Sequence, residues 1–260
     1  MSEPTVTTEA RGDVYFIGLN RPQKLNSFTS EMILALGAAY TSYENDDKTR
    51  CAVLFGNGKD FTAGLDLADC GPIVQSGESL WPRTGIDPLA LEGRERTKPL
   101  VAAMQGRVFT IGIELALASD VRICSEDASF VQLEIARGIF PFGGATFRAP
   151  AQLGWGNAMK FLLTAEPFGA AEALRIGLVQ EVVPRDKLLE RATAIAQKIA
   201  AQAPLGVRAT LASAHTASRE GPEAAIRALR PMAMRLMATD DAREGVQSFL
   251  ERRPGKFQGR

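Results

Sequence analysis

The stretch that decides the fold is Thr110-Ile111-Gly112-Ile113-Glu114-Leu115-Ala116-Leu117-Ala118, in the middle of the chain. The apolar run Leu100–Met104 precedes it and predicts a buried strand. Thr110 and Gly112 suit the start of a helix, and the apolar residues after them predict that this helix is buried. Because a helix N-terminus presents unpaired N–H groups and a partial positive charge, this corner favours bound negative charge.

Two features in and beside this corner have alternative interpretations. Glu114 falls in the first turn of the predicted helix, where a carboxylate either stabilises the helix dipole or has a chemical role. A second corner is predicted at residues 61–67, Phe-Thr-Ala-Gly-Leu-Asp-Leu, where a strand leads through Gly64 to Asp66. Backbone N–H groups point outward at such corners, but Asp66 is equally suited to cap the next helix. Each stretch alone is an ordinary structural pattern.

The composition describes a globular chain of balanced charge. Its 260 residues allow one large domain, or a domain with an appendage, and 45% hydrophobic with 23% charged residues is typical of globular proteins. Thirty basic residues balance thirty acidic ones, which argues against nucleic acid as the main partner.

Cysteine and histidine usage excludes several kinds of site. Three scattered cysteines, Cys51, Cys70 and Cys124, form no CxxC pair, which predicts a reducing, cytoplasmic location. The single histidine, His215, argues against a His-based triad or a His-rich metal site, and we expect it to be a surface or packing residue. Residues 1–13 lack an apolar signal core, and no apolar run approaches about 18 residues, so no membrane association is predicted.

Strands alternate with helices to about residue 183, and helices follow, which predicts an α/β fold with a helical C-terminal part. The irregular segment 71–94 is long enough to be functional, and its Trp81 either walls a pocket or anchors the segment to the core. Further strands are predicted at 5–9, 14–19, 51–55, 121–124, 128–131 and 178–183, and further helices at 30–45 with Thr29 or Ser30 as cap, 170–176, 187–202, from Pro222, and after a capping box at 241–244.

A series of motifs links these stretches: Asn20-Arg21-Pro22 with Asn26, 61–67, 98–103, 112–120, Glu134 with Gly138, Pro141, Gly143 and Gly144, and 172–179. In this order and spacing they resemble the crotonase (enoyl-CoA hydratase/isomerase) superfamily, over residues 14–256. The resemblance implies a spiral of ββα units over residues 1–200 and a C-terminal helical region, 201–260, that mediates assembly into a trimer or a dimer of trimers. It implies an acyl-CoA thioester substrate and no separate cofactor or metal, since CoA is part of the substrate.

The resemblance also implies the layout of the site. The thioester oxygen would lie in an oxyanion hole made by the backbone N–H groups of Ala63 and Ile111, the second of which is at the helix N-terminus described above. An acyl pocket is expected at Trp81 and Phe142. The residues expected to bind CoA or the substrate are Lys24, Leu25, Ala63, Gly64, Leu65, Asp66 and Gly112.

Two glutamates decide the expected reaction. Both positions that carry acid–base glutamates in the hydratases are glutamate here, Glu114 and Glu134, and the addition of water to a 2-enoyl thioester needs one group to activate water and another to protonate C2. We expect Glu134 to act at C2 and Glu114 to hold the water, in a hydro-lyase of lipid metabolism. The alternatives are an isomerase, which needs one base, a thioester hydrolase, or a non-catalytic scaffold of the same fold.

Two residues depart from the family pattern. Ile111 stands where glycines are common, and a β-branched residue does not easily adopt a positive φ. Phe142 replaces a common glycine, and its ring is expected to reshape the acyl site. Both departures concern the length of the acyl group more than the type of reaction.

Overall fold

Two sheets are formed by the nine strands that lie within residues 3–260, the part of the chain that the computed structural model describes. The strands are β1 Val6–Arg11, β2 Val14–Leu19, β3 Cys51–Gly56, β4 Leu100–Met104, β5 Arg107–Phe109, β6 Val121–Ser125, β7 Ser129–Val131, β8 Phe168–Gly169 and β9 Glu181–Val183. The larger sheet has the order β1-β2-β3-β4-β6-β9 and is parallel except for the β1–β2 hairpin. The smaller sheet has the order β5-β7-β8.

Helices connect and cover these strands. The α-helices are α1 Ser30–Asn45, α2 Leu67–Gln75, α3 Ile111–Leu117, α4 Ala145–Leu153, α5 Trp155–Thr164, α6 Ala170–Arg175, α7 Leu188–Ala200, α8 Pro204–Glu220, α9 Pro222–Met237 and α10 Asp240–Leu250. Short 3-10 helices span Pro22–Lys24, Glu134–Arg137 and Arg185–Lys187.

The chain winds as a spiral in which each turn contributes one strand to each sheet and then a helix. One turn is β4, β5 and α3, and the next is β6, β7 and α4. The turn before them is β3, a single bridge from Thr62 to Val108, and α2. The predicted α/β spiral of ββα units is therefore confirmed.

The inner strands of the larger sheet, β2, β3, β4 and β6, are buried on both faces, as expected for parallel strands. Alternate residues, such as Val53 and Val101, pack against α7, while Ala52 and Leu54 between them face the core under α1 and α3. Alanines of α7, including Ala196, are fully buried, and their small side chains let the helix approach the sheet closely.

The last three helices extend beyond the spiral. Helix α8 buries none of its residues and α9 buries only Ala225, although the two helices pack against each other. The predicted boundary at residue 200 coincides with the end of α7, and the division into two regions stays a prediction. Within residues 3–260, no helix combines the length and apolar character needed to span a membrane.

Most predicted elements are present with bounds within one or two residues, and Thr29 caps α1 by accepting a hydrogen bond from the Met32 N–H at 3.2 Å. Two predictions are wrong. The last strand begins only at Glu181 rather than at 178. The predicted capping box at 241–244 is not the helix start, because Thr239 caps α10 and accepts from the Ala242 N–H at 3.1 Å.

Candidate active site

The predicted CoA-binding loop and the 61–67 corner lie together. The Arg21 guanidinium contacts the Asp66 carboxylate at 3.0 Å, so Asp66 holds the loop instead of capping α2, where its side chain makes no capping bond. Buried Asn26 fastens the same loop to the turn after β3 through its amide, which donates to the carbonyl oxygens of Asn57 and Asp60 at 2.9 and 2.8 Å. Exposed Lys24 and Leu25 are thereby presented beside the corner.

Hydrogen bonding at this corner corrects one prediction. The Ala63 N–H donates to the carbonyl oxygen of Leu25 at 2.9 Å, so Ala63 was the wrong choice for a ligand-binding donor. The next N–H groups are also engaged, that of Gly64 with Thr62 Oγ1 at 3.1 Å and that of Asp66 with the Phe28 carbonyl at 2.8 Å. Between them, the Leu65 N–H has no acceptor among the residues of the described chain. Leu65, already predicted to contact the substrate, is thus the residue with a free donor.

The second predicted donor is available. Ile111 and Gly112 are the first residues of α3, and their N–H groups have no acceptor among residues 3–260, as the geometry of a helix start requires. Gly112 is needed for packing, since a Cβ there would lie 2.6 Å from Thr62 Cγ2. The concern about a positive φ at Ile111 was misplaced: the positive φ, 50°, belongs to Thr110.

Glu114 is buried beneath this helix start with its carboxylate fixed by backbone donors. Its Oε1 accepts hydrogen bonds from the N–H groups of Gly143 at 2.7 Å and Ala145 at 3.3 Å. Burial, and secondarily the carboxylate of Glu134, raise the pKa of Glu114 to about 7. A carboxyl with such a pKa can accept or release a proton near neutrality, which is the property of a general acid or base.

Glu134 begins the 3-10 helix Glu134–Arg137 and is also buried. Its Oε1 accepts from the Gln132 amide at 3.0 Å, whereas its Oε2 is shielded from solvent and has no partner within the described residues. Burial raises the pKa of Glu134 above its ordinary value. An unpartnered buried carboxyl oxygen marks a place where a bound group would complete the hydrogen bonding.

The register of the smaller sheet brings these residues together. Thr62 is bridged to Val108, and Val108 pairs with Phe130 on the next turn of the spiral. Leu65 and Ile111 each follow their bridge residue by three positions, and Glu134 follows Phe130 by four. Three successive turns therefore deliver their functional groups to one edge of the sheet.

The two residues predicted to form the acyl pocket lie side by side and border an open cavity of about 560 Å³. Trp81 and Phe142 are both half-buried, and their ring centroids are 6.3 Å apart. Trp81 also packs on the core, so it both anchors its segment and walls the site. An apolar cavity of about 10 Å³, no larger than one water molecule, remains between Trp81 and Ile111, with Phe28, Ile33, Leu36, Pro88, Leu89 and Leu115 as its other walls.

Sequence reasoning missed the residues that support the two glutamates. Gln132 and Gly143 hydrogen-bond them, and Arg148 donates to the Gly143 carbonyl at 3.3 Å and lies near enough to Glu114 to oppose the rise in its pKa. The pair Gly143-Gly144 was noted only as a landmark. His215 lies half-buried on α8, outside this site. No group of three His, Cys, Asp or Glu side chains within the described range is placed to hold a metal ion.

Comparison with known proteins gives consistent matches over the whole chain. The model of the family described as enoyl-CoA hydratase/isomerase matches residues 9–260. Among solved structures, a probable enoyl-CoA hydratase/isomerase from Mycobacterium abscessus is 51% identical, with a TM-score of 0.97 over 100% of both chains.

Two curated relatives carry more specific names. The enoyl-CoA hydratase EchA19 of Mycobacterium tuberculosis is 33% identical over 100% of this chain and 98% of its own length. The 2,3-dehydroadipyl-CoA hydratase of Escherichia coli is 32% identical over 100% of both chains. Both relatives are named as hydratases of CoA thioesters, but their names give different acyl groups.

Proposed function

The chain belongs to the enoyl-CoA hydratase/isomerase family, and on this premise we propose that it adds water across the C2–C3 double bond of a 2-enoyl-CoA thioester. The observation that carries the proposal is the pair Glu114 and Glu134, buried at one site with both pKa values raised. Glu114, with a pKa of about 7, and Glu134, whose pKa burial also raises, can supply the base and the acid that the addition of water requires.

The thioester carbonyl is expected to bind at the two free backbone donors. We assign the oxyanion hole to the N–H groups of Leu65 and Ile111, which replace the pair that includes Ala63. As negative charge develops on the thioester oxygen, each donor of this type lowers the barrier by about 2.7–4 kcal/mol. We expect Lys24 and Leu25 to contact the CoA portion, and the Arg21–Asp66 ion pair, which holds their loop beside the corner, supports this.

The hydrogen bonds support a division of roles between the glutamates. Two backbone N–H groups on Oε1 of Glu114 favour its ionised form, which suits a base that takes a proton from water as the water oxygen bonds to C3. Glu134 has a free Oε2, which suits an acid that delivers its proton to C2. A proton then passes from water to one carboxylate and from the other carboxyl to carbon, so the pair ends with the same total charge.

The C-terminal helices support assembly into a homotrimer or a dimer of trimers. Their exposed apolar side chains form a surface that a monomer would leave in water. Light scattering after size exclusion should give three or six times the chain mass. The exposed residues are Ile226, Leu229, Met234, Met237, Val246, Phe249 and Leu250.

A cytoplasmic location is also part of the proposal. Cys51, Cys70 and Cys124 are all buried free thiols, which suits a reducing compartment. Fractionation of cells that express the tagged chain should recover it with cytosolic markers.

The deciding experiment follows the loss of the conjugated enoyl-thioester absorbance of crotonyl-CoA, with the product identified by mass. Glu114→Gln and Glu134→Gln should each reduce kcat by at least about 10²-fold. Exposed Glu166→Gln, which changes no residue assigned to the site, is the matched control and should leave kcat unchanged.

Other members of the family suggest what a negative result would mean. Double-bond migration in a 3-enoyl-CoA without hydration would show an isomerase, and release of free CoA would show a thioester hydrolase. Binding of acyl-CoA with no turnover in any of these assays, unchanged in the double glutamine variant, would show a non-catalytic scaffold.

A further inference from the structure

Thr110 has a backbone conformation that is costly for its side chain. It immediately precedes α3 with φ 50° and ψ −111°, a region that glycine enters freely and that β-branched residues avoid. Strain of this kind persists where the surrounding structure enforces it, and it clusters at functional sites.

The hydroxyl of the same residue has a second unfavourable feature. Thr110 Oγ1 is shielded from solvent and has no hydrogen-bond partner among residues 3–260. A buried hydroxyl without a partner loses its hydration with no compensation. A valine would have nearly the same shape without this cost, so the presence of threonine here calls for a partner that arrives with the ligand.

The position of the hydroxyl relates it to both free backbone donors. At ψ −111° the Cα–Cβ bond of an L-residue nearly eclipses the following C–N bond, so the Thr110 side chain lies beside the Ile111 N–H. Across the site, Oγ1 rests on Gly64: a Cβ at Gly64 would be 2.3 Å from it. Gly64 directly precedes Leu65, so the hydroxyl lies between the two turns that carry the free N–H groups.

We propose that the Thr110 hydroxyl is a third donor of the oxyanion hole and donates a hydrogen bond to the thioester oxygen together with Leu65 and Ile111. This inference rests on the proposed function. The hydroxyl keeps its proton throughout: it shortens its hydrogen bond as charge moves onto the oxygen and transfers nothing. The bound oxygen also supplies the acceptor that Oγ1 lacks in the free protein.

The test compares Thr110→Val, which keeps the shape and removes the donor, with Thr110→Ser, which keeps the donor. For crotonyl-CoA we expect Thr110→Val to lower kcat about 10²-fold with little change in KM, as for loss of an interaction made in the transition state. Thr110→Ser should retain most of the activity. The melting temperature of Thr110→Val should equal or exceed that of the wild type, because an unsatisfied hydroxyl is removed.

A binding measurement separates this inference from the reaction itself. The enolate of acetoacetyl-CoA carries its negative charge partly on the same thioester oxygen and can be followed by its ultraviolet absorbance. Thr110→Val should weaken enolate binding by a larger factor than it weakens the binding of butyryl-CoA, a saturated thioester whose oxygen carries less negative charge. This comparison remains decisive if the wild type hydrates nothing, in which case the proposed function fails and the role of Thr110 is still tested.

Two results would overturn the inference. One is a Thr110→Val variant with the kcat and the enolate affinity of the wild type. The other is a Thr110→Val variant that melts at lower temperature and binds both thioesters equally poorly, since that pattern is produced by a structural residue.

Discussion

The Gly143 N–H donates to Oε1 of Glu114 at 2.7 Å, and a Cβ on Gly143 would lie 2.1 Å from Oε2 of the same carboxylate. The N–H of Gly143 therefore fixes the Glu114 carboxylate, and the absence of a side chain on Gly143 leaves room for that carboxylate. No other residue type can do both without moving one of the two groups.

Gly143→Ala should displace the Glu114 carboxylate and reduce kcat by about 10²-fold, the range expected when a positioned base is lost. Affinity for a saturated acyl-CoA should change little, because Lys24 and Leu25, the residues proposed to contact CoA, make no hydrogen bond to Gly143. Gly156→Ala, on α5 with nothing within 4 Å of the added carbon, is the matched control and should behave as the wild type. Full activity in Gly143→Ala would show that Glu114 need not be held in this position.

Glu114 should make the stability of the protein depend on pH. Its pKa is raised from 4.5 to about 7, so below about pH 4.5 the carboxyl is protonated in both the folded and the unfolded chain and its burial adds no ionisation cost. As pH rises through 7 this advantage is lost, and the free energy of unfolding falls by about 3 kcal/mol. Relative to the wild type, Glu114→Gln should gain melting temperature between about pH 5 and pH 8. A constant difference across this range would contradict the raised pKa.

Gln132 should tune the alkaline limb of the pH–rate profile, which the proposed general acid Glu134 would set. Its amide hydrogen bond to Oε1 of Glu134 partly opposes the rise in the pKa of Glu134 that burial causes. Gln132→Met removes that bond, so the pKa of Glu134 should rise further and the alkaline fall in kcat should move to higher pH. A pH–rate profile of both proteins measures the shift. Movement to lower pH would mean that another group sets the alkaline limb.

Trp81 should limit the length of the acyl group. Because only about 10 Å³ is free between Trp81 and Ile111, a straight chain that extends from Ile111 toward Trp81 must displace the indole. Trp81→Ala should raise kcat/KM for a ten-carbon enoyl-CoA relative to crotonyl-CoA by at least about tenfold, as several buried methylene groups gain space. Trp155→Ala, exposed on α5, is the matched control. An unchanged ratio would show that longer chains leave the site by another route.

Local sequence was sufficient for the elements and for the two glutamates. The apolar strand before Thr110 and the helix after it follow from hydrophobic pattern, and the motif order placed Glu114 and Glu134 in one family of sites. The same reasoning chose Ala63 as a donor and gave Leu65 only as a residue that binds CoA or the substrate. Ala63 is not a free donor because its N–H bonds to the carbonyl of Leu25. No local sequence pattern encodes this tertiary contact.

The same limit explains the other omissions. The positive φ of Thr110 is imposed by the packing of two turns against each other, and glycine rather than threonine is the usual signal for such a conformation. The role of Gln132 depends on the irregular backbone between β7 and Glu134, where two residues spaced by two positions face each other. Such contacts have no periodicity from which they could be inferred.

The bridges from Thr62 to Val108 and from Val108 to Phe130 also divide the chain by its tolerance to changes in length. Inserting one residue between a bridge and its functional group would move the point at which the backbone leaves the strand, and so would displace that group relative to the other two. The spans 62–65, 108–111 and 130–134 must therefore keep their lengths. Segment 71–94 lies outside these spans, so evolution can lengthen or shorten it, and with it the acyl site around Trp81, while the reacting groups keep their alignment.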